Sequence, residues 1–104
     1  MALELFASNH QKEITTDTCV FSMNEAMHSW LLQHAKPNNK FPTMRKIADY
    51  YSDATILSSE VGSLKNEISI ILSSQKEKIT EFNELILFLD DAQEKSFNIY
   101  VYCD

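Results

Sequence analysis

The chain has 104 residues, 44% of them hydrophobic and 23% charged, with one glycine, two prolines and a formal net charge of -6. That length suits one domain, residues 1–104, with a core of its own, and the scarcity of glycine and proline excludes a disordered or loop-built chain. The negative balance excludes a nucleic-acid ligand, because phosphate affinity comes largely from lysine and arginine.

The opening stretch, MALELFASNHQKEI, has no basic start, no long apolar run and no small-residue cleavage site. It is therefore not read as a signal peptide, and a cytoplasmic location is expected. Within it, residues 2–7 alternate apolar and polar and predict a strand. Ser22 and Glu25 have the S-x-x-E spacing of a capping box, and Met23, Met27, Trp30, Leu31 and His34 follow at helical spacing. A first helix is predicted over about 23–35, ended by Pro37 and two asparagines. Pro42 suits a first helical position, which predicts a second helix over about 42–51.

Ser58 or Ser59 caps a third helix with Glu60 in its first turn, where negative charge is favoured. Its buried stripe is Val61, Leu64, Ile68, Ile71 and Leu72. After a Ser-Ser-Gln-Lys break, residues 79–94 predict a fourth helix. The tail from Phe97, FNIYVYCD, is β-branched and aromatic and predicts a second strand. Strands at the two chain ends most simply pair with each other. The predicted fold class is therefore α+β, predominantly helical, with about four helices packed with a small sheet formed by the N- and C-terminal strands. Such a ribbon needs a helix against it to be stable. The longest apolar run, Leu85 to Leu89, falls far short of the roughly 20 residues that cross a bilayer, so no membrane partner is expected.

Few residues have the spacing that catalysis requires. His28 and His34 are six apart on one helix and point about 120° from each other, unlike an i, i+4 metal pair, so no metal is expected. There is no phosphate-cradling glycine loop and no G-x-S-x-G, so no nucleotide cofactor is expected either. Cys19 and Cys103, in a chain without an export signal, are expected to be reduced core residues. The chain is read as not an enzyme; the catalytic alternative is a hydrolase using His10 with His28 or His34 as acid and base.

Charge carries more information. Residues 1–48 hold four acids and five bases, +1, whereas residues 49–104 hold eleven acids and four lysines, -7. A basic partner is favoured. At about 100° per residue, Ile79, Phe82, Leu85, Ile86, Leu89 and Ala92 form the core face of the fourth helix, opposite Glu77, Glu81, Glu84 and Asp91. Phe88 falls among those acids. An aromatic placed there is covered either by the protein's own terminal strand or by another chain. At the junction of the second and third helices, Asp49, Asp53 and Glu60 flank Tyr50 and Tyr51. Adjacent helical residues diverge by about 100°, so one ring is expected to bury and the other to remain available as an interface side chain.

The run FPTMRKIADYYSDATILSSEVGSLKNEI, Phe41 to Ile68, resembles small immunity proteins of bacterial polymorphic-toxin and contact-dependent growth inhibition systems. The matching elements are the Phe41-Pro42 helix start, the Asp49 to Asp53 turn, Ile56, Glu60-Val61, Leu64 and Glu67-Ile68. The resemblance covers roughly a quarter of the chain and implies a cytosolic inhibitor of one toxin domain, often a nuclease. Nucleases must be basic to hold phosphates, which agrees with the acidic second half. The expected partner is a cognate toxin domain, met by Asp49, Tyr50, Tyr51, Asp53, Glu60, Glu81, Glu84, Phe88 and Asp91. The alternative is a small acidic regulatory adaptor for a basic endogenous protein.

Overall fold

The computed structural model of the chain describes residues 3–15, 18, 20–36, 38–49 and 52–103, with Asn38 and Lys76 described by backbone only. Alternation in the first stretch does what it promises. Strand β1, Leu3–Ser8, buries Leu3, Leu5 and Ala7 and leaves Glu4 and Phe6 half-covered on the other face. It pairs antiparallel with β4, Asn98–Cys103, with Leu5 opposite Val101 and Ala7 opposite Ile99. The two predicted end strands are thus the centre of the sheet.

Two further strands flank them. Strand β2, Val20–Met23, pairs antiparallel with β1, and β3, Ala54–Ile56, pairs antiparallel with β4. The order across the sheet is β2-β1-β4-β3. Both added strands are short, four and three residues, too brief for alternation to stand out from a turn. At Ser22 the expected helix start is instead β2. Helix α1, Glu25–His34, begins three residues later, where Asn24 Oδ1 accepts from the Met27 N–H at 2.9 Å. The cap is Asn24 rather than Ser22, and it satisfies an amide that has no intrahelical partner.

The structure has three α-helices rather than about four, among the described residues: α1, α2 (Ser58–Ser73) and α3 (Ile79–Glu94). The predicted second helix is reduced to a 3-10 turn, Met44–Ile47, and its predicted end at Tyr50 and Tyr51 lies outside the described residues. Its shortness has a cause in the partners that hold it. Glu67 of α2, 6% exposed, accepts from the N–H groups of Thr43 (3.2 Å) and Met44 (2.9 Å). At the far end the Ile47 carbonyl accepts from Nε2 of His28, a buried side chain of α1, at 2.6 Å. A buried carboxylate and a buried imidazole therefore clamp the turn from two different helices, which satisfies backbone groups that would otherwise be costly inside the protein.

Leu57 cannot cap α2 with its side chain, but two other groups complete that helix start. Glu60 Oε1 accepts from the Leu57 N–H at 3.0 Å, and Asn98 of β4 accepts from the Ser58 N–H at 2.8 Å. Helix α3 ends with Ser96 at φ 57°, a left-handed residue beyond its last turn. There the Ser96 N–H donates to the Gln93 carbonyl and the Phe97 N–H to the Ala92 carbonyl. This paired pattern turns the chain into β4.

All three helices lie on the Leu3, Leu5, Ile99 and Val101 side of the sheet and share one core with it. Phe82, Leu85 and Leu89 of α3 and Val61 and Leu64 of α2 are fully buried there. Each such side chain contributes about 1.5–3 kcal/mol on removal from water. Helix α3 runs against β2, while α2 packs on β4 and has α3 along one flank and the Met44–Ile47 turn along the other.

The one glycine, Gly62, sits inside α2 with negative φ, where glycine costs roughly 0.5–1 kcal/mol relative to alanine. A Cβ there would lie 2.6 Å from Nε2 of Gln93, the tip of an exposed side chain that can swing away. Gly62→Ala should therefore raise stability by about 0.5 kcal/mol, read as a higher urea midpoint at constant slope. A lowered midpoint would mean that Gln93 is held in place between the helices.

Candidate interaction surface

The carboxylates singled out in the sequence separate into two groups. Glu60 projects from the flank of α2 that faces the Met44–Ile47 turn, where it pairs with Lys46 at 2.6 Å. The opposite flank of α2 meets α3, with Lys65 paired to Asp90 and Gly62 facing Gln93. Glu81, Glu84 and Asp91 are on α3, beyond that contact and beside β2. Asp49, Asp53 and Glu60 are therefore on the β3 side of the molecule and Glu81, Glu84 and Asp91 on the β2 side, and the fold does not bring them into one site.

Several of these acids already have partners. Glu81 pairs with Lys78 and Asp91 with Lys95, both at 3.1 Å, and all of these side chains are substantially solvated. Exposed pairs of this kind contribute about 0–1 kcal/mol each. The Lys46 ammonium, helped by the Leu57 N–H, holds Glu60 below its ordinary carboxylate pKa. A depressed folded-state pKa gives stability that is present at neutral pH and is lost as pH falls through that value. Asp49 accepts from Ser52 Oγ at 2.7 Å, and Asp53 accepts from the Cys103 N–H at 3.0 Å, which extends the β3–β4 pairing by one position. Glu84 is exposed and has no cationic partner among the described residues.

The aromatic side chains also differ from expectation. Phe88 is 7% exposed and its ring lies 6.2 Å from that of Phe21 on β2, so it is a core residue and not a surface anchor. The cover is β2, not the terminal strand, and it turns the buried face of α3 by roughly 45° at 100° per residue. Ile79 is left 46% exposed as a result, and Leu87, opposite the core, is 57% exposed. Tyr50 and Tyr51 lie outside the described residues.

Half-exposed rings do occur, on the helix-free face of the sheet. The register sets Phe6 beside Tyr100 and Glu4 beside Tyr102, and Phe6 and Tyr102 meet edge-to-face at 5.7 Å. Val20 and Thr55 extend the Phe6–Tyr100 row to both edges and are exposed. The Tyr100 hydroxyl accepts from Asn98 Nδ2 at 3.0 Å, and Gln11 Nε2 donates to the Tyr102 hydroxyl at 2.6 Å, so both rings are held in place. Asp53 lies at the β3 edge beside Cys103. Carboxylates and rings thus share one surface, made from strand residues rather than from the helix junction. The signal was present in the tail, where Asn98, Tyr100 and Tyr102 alternate with Ile99, Val101 and Cys103.

The histidines do not converge. His28 is buried against Ile47, while His34 stacks on Trp30 at 4.3 Å with Nδ1 2.9 Å from the Trp30 carbonyl. His10 is exposed at the turn after β1. Cys103 is a free, half-buried thiol, and Cys19 lies outside the described residues. Among the described residues no cluster of three or more His, Cys, Asp or Glu side chains is placed to hold a metal ion, and no helix is long and apolar enough to cross a membrane. No protein-family model, curated protein or solved structure matches this chain.

Proposed function

We propose that this protein is a stoichiometric binder of a basic protein domain, acting as an immunity-type inhibitor of a cationic toxin, with a nuclease as the favoured target. The observation that carries the reading is the fixed row of Phe6, Tyr100 and Tyr102 beside Glu4 and Asp53 in a chain of net charge -6. Tyrosine supplies a large, stiff contact with few rotatable bonds. An arginine guanidinium can stack on such a ring while it bonds a neighbouring carboxylate. Asp49 and the Tyr50–Tyr51 pair border the same β3 edge in sequence and would extend the contact. Glu81, Glu84 and Asp91, on the β2 side, would act through the long-range field that speeds encounter.

The test is association with purified basic toxin domains, beginning with the product of the neighbouring gene. Tyr102→Ala and Phe6→Ala are each expected to weaken the complex by on the order of 30-fold, the scale of a buried aromatic anchor. The association rate should fall on the order of tenfold between 50 and 500 mM salt. A rate indifferent to salt, together with unchanged affinity in both ring variants, would remove the reading. A basic partner from the cell's own machinery, bound with the same ring and salt dependence, would instead support the adaptor form of the activity.

A further inference from the structure

A cavity of about 250 Å³ opens between the end of α1 and the segment that follows it, lined by Leu32, Ala35, Phe41, Met44, Arg45 and Ala48. Ala35, Phe41 and Met44 are buried, so the inner wall is apolar. Arg45 and Ala48 are exposed, which places them at the mouth, and Arg45 is the one charged residue among those that line the cavity. The walls are fixed from several directions. Met44 donates its N–H to the buried Glu67 carboxylate, and the Ile47 carbonyl is held by His28 at the other end of the same turn. The Arg45 N–H donates to the Phe41 carbonyl and the Ala35 N–H to the Leu32 carbonyl, both at 3.3 Å. Such a cavity is formed before anything enters it.

Its charge is opposite to that of the chain as a whole. Residues 26–48 contain no aspartate or glutamate and four bases, Lys36, Lys40, Arg45 and Lys46, in a protein of net charge -6. Lys46 is committed to Glu60. Arg45 has no carboxylate partner among the described residues, and neither have Lys36 and Lys40, exposed residues next in sequence to Ala35 and Phe41. Asp49, which follows Ala48, accepts from Ser52 Oγ. An uncommitted guanidinium at the mouth of an apolar cavity, with two further cations beside it in sequence, favours an anionic group there.

We propose that this cavity binds a small carboxylate with an apolar tail, the tail lying against Leu32, Phe41 and Met44 and the carboxylate meeting the Arg45 guanidinium. Arginine receives a carboxylate through two parallel N–H···O bonds, which fixes orientation as well as charge. Volume sets the size of the tail: a cavity of about 150 Å³ is enough for benzene, so 250 Å³ takes one ring and a short acid-bearing chain. The cavity shares no residue with the aromatic sheet face, so its occupancy does not rest on the inhibitor reading.

The experiment is a titration of the labelled full chain with hydrocinnamate at constant ionic strength, followed by amide chemical shifts. Shifts are expected at Leu32, Phe41, Met44 and Ala48, with a Kd on the order of 1 mM or below. Hydrocinnamyl alcohol keeps the ring without the charge and acetate keeps the charge without the ring, and each should bind about tenfold more weakly or worse. Arg45→Gln, at an exposed position, should lower hydrocinnamate affinity about tenfold, to the level of the alcohol, and leave the unfolding midpoint unchanged. Ala48→Phe, also at the mouth, should block acid and alcohol alike. Equal binding of acid and alcohol, hydrocinnamate affinity unaltered in Arg45→Gln, or shifts confined to Phe6, Tyr100 and Tyr102 would overturn the proposal. An acetylated tripeptide ending in phenylalanine presents the same ring and carboxylate on a chain end, and tighter binding by it than by hydrocinnamate would overturn the assignment to a small ligand.

Discussion

Replacing Glu67 with alanine should cost about 3 kcal/mol of folding stability, far more than the loss of any other carboxylate among the described residues. The residue is 6% exposed, and its two oxygens accept from adjacent backbone amides, Thr43 and Met44. Alanine leaves both N–H groups inside the protein without an acceptor, and each unsatisfied donor carries a penalty of about 1–3 kcal/mol. The Met44–Ile47 turn, no longer fixed at its start, would pull on the His28–Ile47 bond at its other end. Glu67→Gln is the informative companion. Its one carbonyl oxygen can serve one amide while its NH₂ group faces the other donor, so a loss of about half the alanine value follows. Urea unfolding of the three proteins checks the order, and hydrogen exchange at Thr43 and Met44 checks the location. If both variants unfold within 0.5 kcal/mol of the parent, the clamp contributes nothing and the turn is held by Met44 and Ile47 burial alone.

The clamp also marks how far the sequence can be read. Strands β1 and β4 and helices α2 and α3 were legible because their periodicity runs over six or more residues; the core accepts that of β1, β4 and α2 and rotates that of α3 toward Phe88. The pairing of the chain ends followed from having two clear strands. Strands β2 and β3 were not legible, because Val20–Met23 and Ala54–Ile56 exist only through the ladders they make with β1 and β4. The predicted helix at Pro42 failed for the opposite reason. Its local propensity was adequate, but Glu67 and His28, 23 and 19 residues away from their partners, set its geometry. Glu67 entered the sequence reading only as an element of the resemblance, since burial of a carboxylate leaves no trace in spacing.

The described residues named in the sequence as a candidate site fall on two sides of the molecule. Carboxylates beside available rings were expected, and the sheet face offers Glu4 and Asp53 beside Phe6, Tyr100 and Tyr102. The helical wheel of α3 could not reveal this, because a wheel shows which residues share a side but not which neighbour covers them. The Phe21 ring of β2 decides the fate of Phe88, and Phe21 sits in a strand that sequence pattern does not announce. The same missing strand explains why Ile79, predicted to be core, is nearly half exposed.

Phe88→Ala should accordingly destabilise the fold by about 3 kcal/mol, the lower end of the range for a buried aromatic, because its edge keeps 7% exposure. The loss has two parts. The removed ring leaves a cavity beside Leu85 and Leu89 of α3, and Phe21 loses the surface it packs on, which loosens β2 at the edge of the sheet. Leu87→Ala, one residue earlier, removes a side chain that is 57% exposed and should change stability by less than about 0.5 kcal/mol. Denaturant unfolding of the two variants separates a core residue from a surface one on the same turn of helix. Binding supplies the second axis: at a temperature where the Phe88→Ala protein remains folded, its affinity for a basic partner should match that of the parent, while Tyr102→Ala loses affinity and keeps stability. A Phe88→Ala protein as stable as the parent but unable to bind would return Phe88 to the surface and make the acidic side of α3, rather than the aromatic sheet face, the docking site.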